Sequence, residues 1–164
     1  MILCRPCGCP PAGQTGRRCV WCWCKARKWS PRYSRWSSGC YLPPEQGTPK
    51  ADELPTLYVA VVQDTSIPGD LATDTGIALA NMTLAAWDKG VGSCIMGAIN
   101  KPALTELLGI EEPQKLAFMV AFGYPAHKAH IVPLTAETGV KYYLDENRDY
   151  CVPKRSKEEI AKYL

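Results

Sequence analysis

Two long apolar runs constrain the fold of this chain more than any other feature. They are "PTLYVAVVQD" at 55–64 and "KLAFMVAFGYP" at 115–125. Both are rich in β-branched and aromatic residues and end at turn-forming positions, which is typical of buried strands. Because the second run is apolar at nearly every position, we expect it to be covered on both faces of a sheet.

The segment between these runs predicts helices and one short strand. "DLATDTGIALANMTLAAWDKG" places Ile77, Leu84 and Trp87 at helical spacing, and we expect a central buried helix. "VGSCIMG" reads as a short strand or turn, and "KPALTELLGI" as a helix that begins with Pro102 and ends at Gly109. Strand, helix and strand in this order predict an α/β or α+β sheet with helices packed on it.

The first 40 residues have a different composition from the rest. They contain seven of the nine Cys, four of the five Trp, eight Lys or Arg, and no Asp or Glu. The remainder holds eleven Lys or Arg and sixteen Asp or Glu, so the net charge of +3 describes neither part. We find no apolar run long enough for a membrane span and no signal-peptide core, and we expect a cytoplasmic protein.

Four stretches of the chain after its first 40 residues resemble the nitroreductase family, in the same order along the chain. They cover roughly 50–164 and read "LPTLYVAVVQD", "DTGIALANMTLAAWDKGVGSCIMGAI", "LLGIEEPQKLAFMVAFGYPA" and "VKYYLDENRDYCVPKRSKEEI". Two positions depart from the family pattern: Ala80 replaces a usual Gln, and Cys151 stands where one subgroup often has His. The resemblance implies an α+β fold, a nitroreductase-like sheet flanked by helices.

The resemblance also implies an FMN-dependent oxidoreductase. Such proteins bind FMN at a homodimer interface and pass hydride from NADH or NADPH through the flavin to a nitroaromatic, a quinone or a similar acceptor. No catalytic side chain and no metal are required, and we expect neither nucleic-acid nor membrane partners. The cofactor-binding residues that it implies are Ser93, Cys94, Met96, Gly97, Lys154 and Arg155. Backbone groups at Met96 and Gly97 would face the ring, and the two cations would hold the phosphate.

Two histidines are expected to have no part in this site. His127 and His130 lie in a polar stretch and are interpreted as surface residues of a loop. Cys94, although it is in the flavin-contacting segment, is interpreted as a small buried hydrophobic residue and not as a reactive thiol.

The first 40 residues, called the head below, admit three interpretations. Cys4-x-x-Cys7 and Cys19-x-x-Cys22 have the spacing of a zinc site, although three further Cys would have no role in it. Trp and Arg together also suit a nucleic-acid arm. The third and preferred interpretation is a displaced reading frame, because GC-rich genes read off-frame often yield Cys, Trp, Arg and Pro.

The genetic code tests the third interpretation. Regrouping the codons of Arg18 to Lys25 from each third base gives (Leu, Met or Val)-(Arg or Cys)-(Leu, Met or Val)-Val-Leu-Val-Gln, with a stop as the alternative at the last position. This is a strand pattern. Further upstream the shifted frame permits P-S-x-x-N-x-x-P-L, which is similar to a flavin-binding motif of the family that the printed head lacks, as it lacks the family's R-R-S-x-R.

We therefore predict two regions. Residues 1–45 are a frame-shifted and disordered segment, and residues 46–164 are a partial nitroreductase-like domain whose true frame resumes between Cys40 and Gly47. The reductase activity would be impaired in this chain, with weak or no FMN retention. The alternative is a zinc-binding head fused to a catalytically dead reductase-like module.

Overall fold

The computed structural model describes residues 21–24, 42 and 53–162, and for 21–24 the backbone alone. The chain divides into two compact units. The first contains Met1–Gly39 and Pro49–Tyr124, and the second contains Cys40–Thr48 and Pro125–Leu164. The boundary that the sequence predicts at 45/46 lies outside the described residues, so that division stays a prediction.

The first unit contains a four-stranded sheet with two helices. Its strands are β1 (Trp21–Cys24), β2 (Leu57–Asp64), β3 (Gly92–Met96) and β4 (Gln114–Gly123), in the spatial order β1-β2-β4-β3 with every pair antiparallel. Helix α1 (Leu71–Trp87) joins β2 to β3, and helix α2 (Lys101–Leu108) joins β3 to β4. The predicted strands and helices of this part of the chain are therefore confirmed.

The two central strands, β2 and β4, separate two apolar clusters because alternate residues of a strand point to opposite faces. One cluster contains Leu79 of α1, and the other contains Leu104 of α2. The strand residues of the first cluster are Val59, Val61, Val120 and Phe122, and those of the second are Ala60, Val62, Leu116 and Met119. Burial of both faces explains the continuous apolar runs, and it confirms a sheet flanked by helices.

Helix α1 begins at a capped residue and is fixed to β2. Asp70 accepts hydrogen bonds from the amides of Ala72 and Thr73, which satisfies donors that the first turn leaves open. The Gln63 side chain donates to the Thr75 hydroxyl at 2.8 Å, and Thr75 is only 1% exposed. This buried polar pair holds the start of the helix against the end of β2.

The buried face of α1 differs from the expected one. Thr75 and Leu79 are buried, whereas Ile77, Leu84 and Trp87 are 56%, 68% and 69% exposed. The expectation of a helix buried through these three residues is wrong for this structure. Apolar residues occur on every side of α1, so helical spacing alone did not select the face that packs on the sheet.

Helix α2 follows its sequence signals closely. The Asn100 side chain accepts from the amide of Ala103, Pro102 lies in the first turn, and Gly109 ends the helix at φ 63. A residue with a Cβ is strained in this left-handed conformation, and the glycine avoids that strain.

The second unit contains a three-stranded sheet. Its strands are β5 (Ala129–Pro133), β6 (Tyr143–Leu144) and β7 (Tyr150–Lys154), in the order β5-β7-β6. The β5–β7 pair is parallel and the β6–β7 pair is antiparallel. A four-residue helix, α3 (Lys157–Ile160), follows, with Ser156 and Glu159 forming a reciprocal capping box.

The head contributes one described element. Residues 21–24, which the sequence analysis assigns to a disordered segment, form β1 at the edge of the first sheet. The rest of the predicted frame-shifted and disordered segment, apart from Leu42, lies outside the described residues, so that assignment stays a prediction.

Candidate functional site

Strand β3 carries three of the predicted flavin-binding residues and forms an edge of the first sheet. It is hydrogen-bonded to β4, with Cys94 opposite Ala121 and Met96 opposite Met119. Ser93 and Cys94 are exposed, and Met96 is half-buried against the cluster that contains Leu104. The strand therefore anchors itself through Met96 and presents small, uncharged residues at an accessible edge.

Gly97 follows β3 directly and is exposed. A Cβ added at Gly97 would lie 3.2 Å from the Phe118 ring, which is closer than most real Cβ contacts. The Lys101 ammonium lies 5.8 Å from the centroid of the same ring, within cation–π range. The absence of a side chain at Gly97 therefore lets the turn pack closely against β4.

Cys94 is exposed, so the expectation of a buried hydrophobic residue is wrong. An edge strand leaves such side chains accessible even when the neighbouring strand is buried. Tyr58 and Cys94 lie opposite Ala121 from its two sides. Burial raises the pKa of Tyr58 to about 12, with a smaller contribution from the charge of a Cys94 thiolate. The Tyr58 phenol is accordingly a neutral hydrogen-bonding group at physiological pH.

The two predicted phosphate ligands lie at the end of β7 in the second unit. Lys154 is the last residue of the strand, where its carbonyl accepts from the Leu134 amide at 3.0 Å. Arg155 precedes the Ser156 cap, and both cationic side chains are exposed. Among the residues that the structure describes, neither forms an ion pair, so both charges are available to an anionic ligand.

The structure thus groups the predicted residues into two sets. Ser93, Cys94, Met96 and Gly97 are contiguous in the first unit, and Lys154 and Arg155 are contiguous in the second.

Sequence reasoning missed a polar cluster in the second unit. The ligand-capable atoms of His130, Asp145 and Asp149 lie within 4.8 Å of one another, and His130 Nε2 is 3.5 Å from Asp149 Oδ2. His130 is a surface residue, as expected, but it lies on β5 and not in a loop.

Backbone amides account for both carboxylates of that cluster. Asp145 accepts from the amides of Asn147 and Asp149, and Asp149 accepts from the amide of Lys128 at 2.8 Å. The hydrogen bond from the Lys128 amide, with a smaller contribution from His130, lowers the pKa of Asp149. Asp145 therefore closes the turn between β6 and β7, and Asp149 fastens that turn to the start of β5 through the Lys128 amide and His130.

Comparison with known proteins agrees with the resemblance. Residues 48–124 match the model of the Nitroreductase family. This range includes β2, α1, β3, α2 and β4, whereas Lys154 and Arg155 lie beyond it. A search of curated proteins found no match.

One of the similar solved structures confirms the fold. A nitroreductase family protein from Streptococcus pneumoniae TIGR4 is 15% identical with a TM-score of 0.54, over 71% of this chain and 74% of that one. An FMN-dependent nitroreductase from Clostridium difficile R20291 is 18% identical (TM-score 0.42, 45% and 48% covered). A nitroreductase family protein from Clostridium novyi NT is 19% identical (TM-score 0.43, 57% and 54% covered). The chain spans about half the length of the latter two proteins.

None of the helices in the described part of the chain is both long enough and apolar enough to cross a membrane.

Proposed function

We propose that this chain derives from an FMN-dependent oxidoreductase that passes hydride from NADH or NADPH to a nitroaromatic, quinone or similar acceptor. The observation that carries the proposal is the exposed edge strand β3 within the segment that matches the nitroreductase family. FMN, when bound, would supply the hydride chemistry, and the chain would bind and orient it.

The residues present fit a flavin. From Ser93 to Ile99 the chain carries no charged side chain, and Ser93, Cys94 and Gly97 are exposed. A neutral, accessible strand edge suits the flat face of an aromatic ring, and its backbone groups can hydrogen-bond to ring heteroatoms. Lys154 and Arg155, exposed and without an ion pair among the described residues, suit a phosphate.

We expect the affinity of this chain for FMN to be weak. The segment before residue 48 lacks the P-S-x-x-N-x-Q-P-W pattern with which the family completes its flavin site. The proposed flavin-binding residues would then act without that part of the site. We expect a dissociation constant above about 10 μM and no flavin retained through purification.

Titration of FMN into the purified full chain, followed by flavin fluorescence, tests this proposal. Weak, saturable binding is expected, and Lys154→Glu should weaken it about tenfold through loss of a charge-assisted contact. Lys157→Glu, an exposed lysine three residues away, is the matched control and should change the dissociation constant less than about twofold.

Each outcome has a definite meaning. No saturable change in fluorescence would overturn the flavin assignment. Stoichiometric flavin that copurifies with the chain would overturn the expected impairment. Equal losses from the two lysine variants would remove Lys154 from the site.

Assembly as a homodimer is part of the same proposal. Ile77, Leu84 and Trp87 expose a large apolar area on α1, and such residues are commonly buried in an assembly. Light scattering of the eluted chain at several concentrations should give twice the monomer mass. A monomer at every concentration would remove this part of the proposal. The cytoplasmic location also stays a prediction.

Zinc binding by the head stays the alternative. Cys4, Cys7 and Cys19 lie outside the described residues, and Cys22 is described only as part of the backbone of β1. About one zinc ion per chain, lost on replacing Cys19 or Cys22, would support that alternative.

A further inference from the structure

We infer that the segment before residue 48 is the translation of a displaced reading frame, and that the native strand beside β2 carries Val-Leu-Val at the place of Trp21–Cys24. This inference concerns the identity of the residues that complete the first sheet. It does not depend on the proposed function, because it is tested by DNA sequence and by stability without flavin.

The position of β1 gives the first support. Its four residues pair antiparallel with Val59–Val62, so Trp21 lies opposite Val62 and Cys24 opposite Val59. These four residues of β2 are at most 4% exposed. A strand next to such a central strand is expected to be apolar and β-branched. The structure therefore places a strand at the same four codons that the shifted frame converts into an apolar run.

The codons of these residues give the second support. Trp has a single codon, TGG, and Cys has only TGT and TGC. Read from each third base, Trp21–Cys24 must give Val-Leu-Val, preceded by Leu, Met or Val. Read from each second base, the same codons must give Gly-(Ala or Val)-Gly, a pattern that weakens a strand interior. Of the two alternative frames, only the third-base frame encodes a good strand at the position of β1.

The boundary of the family match gives the third support. The match begins at residue 48, directly after the interval Cys40–Gly47 in which the composition indicates that the true frame resumes. The first acidic residue of the whole chain is Glu45. The change of charge, the end of the Cys- and Trp-rich sequence and the start of the match therefore fall within a few codons of one another.

A displaced frame requires particular bases in the gene. The codon of Lys25 begins with AA, so the last base of the Cys24 codon decides between CAA, which encodes Gln, and TAA, which is a stop. The codon of Cys24 must therefore be TGC. Moreover, removal of one base between codons 40 and 47 must join the third-base frame to codon 48.

Resequencing of the locus is the first test. We expect TGC at codon 24 and a third-base frame without a stop from codon 10 to codon 40. We also expect that one base too many lies before codon 48 for this frame to continue into codon 48. A stop in that frame, at codon 24 or elsewhere in the interval, would overturn the inference.

A matched set of full chains is the second test. This test also applies when the extra base is truly present in the gene. One chain is as printed. The second begins with a Met codon in the third-base frame at codon 10 and lacks one base before codon 48. The third is this repaired chain with Gly-Ala-Gly in place of Val-Leu-Val. All three are identical from residue 48 onward.

The expected result is a melting temperature of the repaired chain at least about 5 °C above that of the printed chain, because the edge strand regains its apolar contacts. The Gly-Ala-Gly control should lose this gain. A printed chain that melts at the same temperature as the repaired chain, or higher, would overturn the inference.

Discussion

Strands β4 and β5 show two different ways in which a strand is specified. Strand β4 has ten residues and is buried on both faces. It is predictable from the sequence because it contains a long apolar run. Strand β5 has five residues and is mostly exposed, with Ile131 at 79%. It exists through its parallel pairing with β7. A buried strand has a recognisable apolar pattern in its sequence, whereas an exposed strand that is held by backbone pairing has little such pattern.

The largest expected difference between these strands is the energetic cost of losing a side chain. Leu116 in β4 is 2% exposed, and Leu116→Ala should lower the free energy of unfolding by about 3 kcal/mol, because it leaves a cavity between the sheet and α2. Ile131→Ala in β5 is the matched control and should cost less than about 0.5 kcal/mol. Urea denaturation of the two variants measures both values, and similar losses would contradict the contrast.

A second comparison uses one glycine from each unit. Gly109 and Gly139 adopt φ of 63 and 62, and a Cβ at either would meet nothing within 4 Å. Replacing either with Ala should therefore cost about 1–2 kcal/mol of backbone strain and no steric clash. Gly76 in α1 also faces open space but is helical, and Gly76→Ala should stabilise by roughly 0.5–1 kcal/mol. Thermal melts should show a lower melting temperature for Gly109→Ala and Gly139→Ala and a higher one for Gly76→Ala. A destabilising Gly76→Ala would contradict this reasoning.

The smallest expected effect is a pH dependence in the second unit. The Lys128 amide and His130 lower the pKa of Asp149 from its ordinary value of 3.8. A carboxyl with a lowered pKa stabilises the folded state above its unfolded-state pKa, and this contribution is lost as the pH falls through the folded-state pKa.

Asp149→Asn removes that contribution. The variant should melt below the parent chain near neutral pH, and the difference should close as the pH falls below about 3.8. Asp88→Asn, on the C-cap of α1, is a control in the first unit. A difference at Asp149 that is unchanged from neutral to acidic pH would show that the hydrogen bonds matter and the charge does not.

The sequence predicted the elements that bury apolar surface or carry strong caps. These are β2, α1, α2 and β4, each marked by an apolar run or by a residue such as Asn100 or Gly109. It missed β5 and β7, whose alternation is too short to separate from a loop. It also selected the wrong face of α1, because a helix with apolar residues all round gives no unique direction.

The candidate site was predictable only as a resemblance. Ser93 to Gly97 form a neutral strand and turn that occur in many proteins, and Lys154 with Arg155 is an ordinary exposed basic pair. The structure adds that β3 is an accessible edge and that Cys94 is exposed there. The exposure of Cys94 depends on which strand lies outermost, which local sequence does not encode.

Reduction of bound flavin by a nicotinamide tests the proposed activity most directly. The full chain, saturated with FMN under anaerobic conditions, is mixed with NADH or NADPH, and the visible flavin absorption is followed against an equal concentration of free FMN. The account predicts that at least one nicotinamide bleaches the protein-bound flavin faster than free FMN, and that a quinone restores the absorption. Bleaching at the rate of free FMN with both nicotinamides would contradict the assignment of this chain to the oxidoreductases.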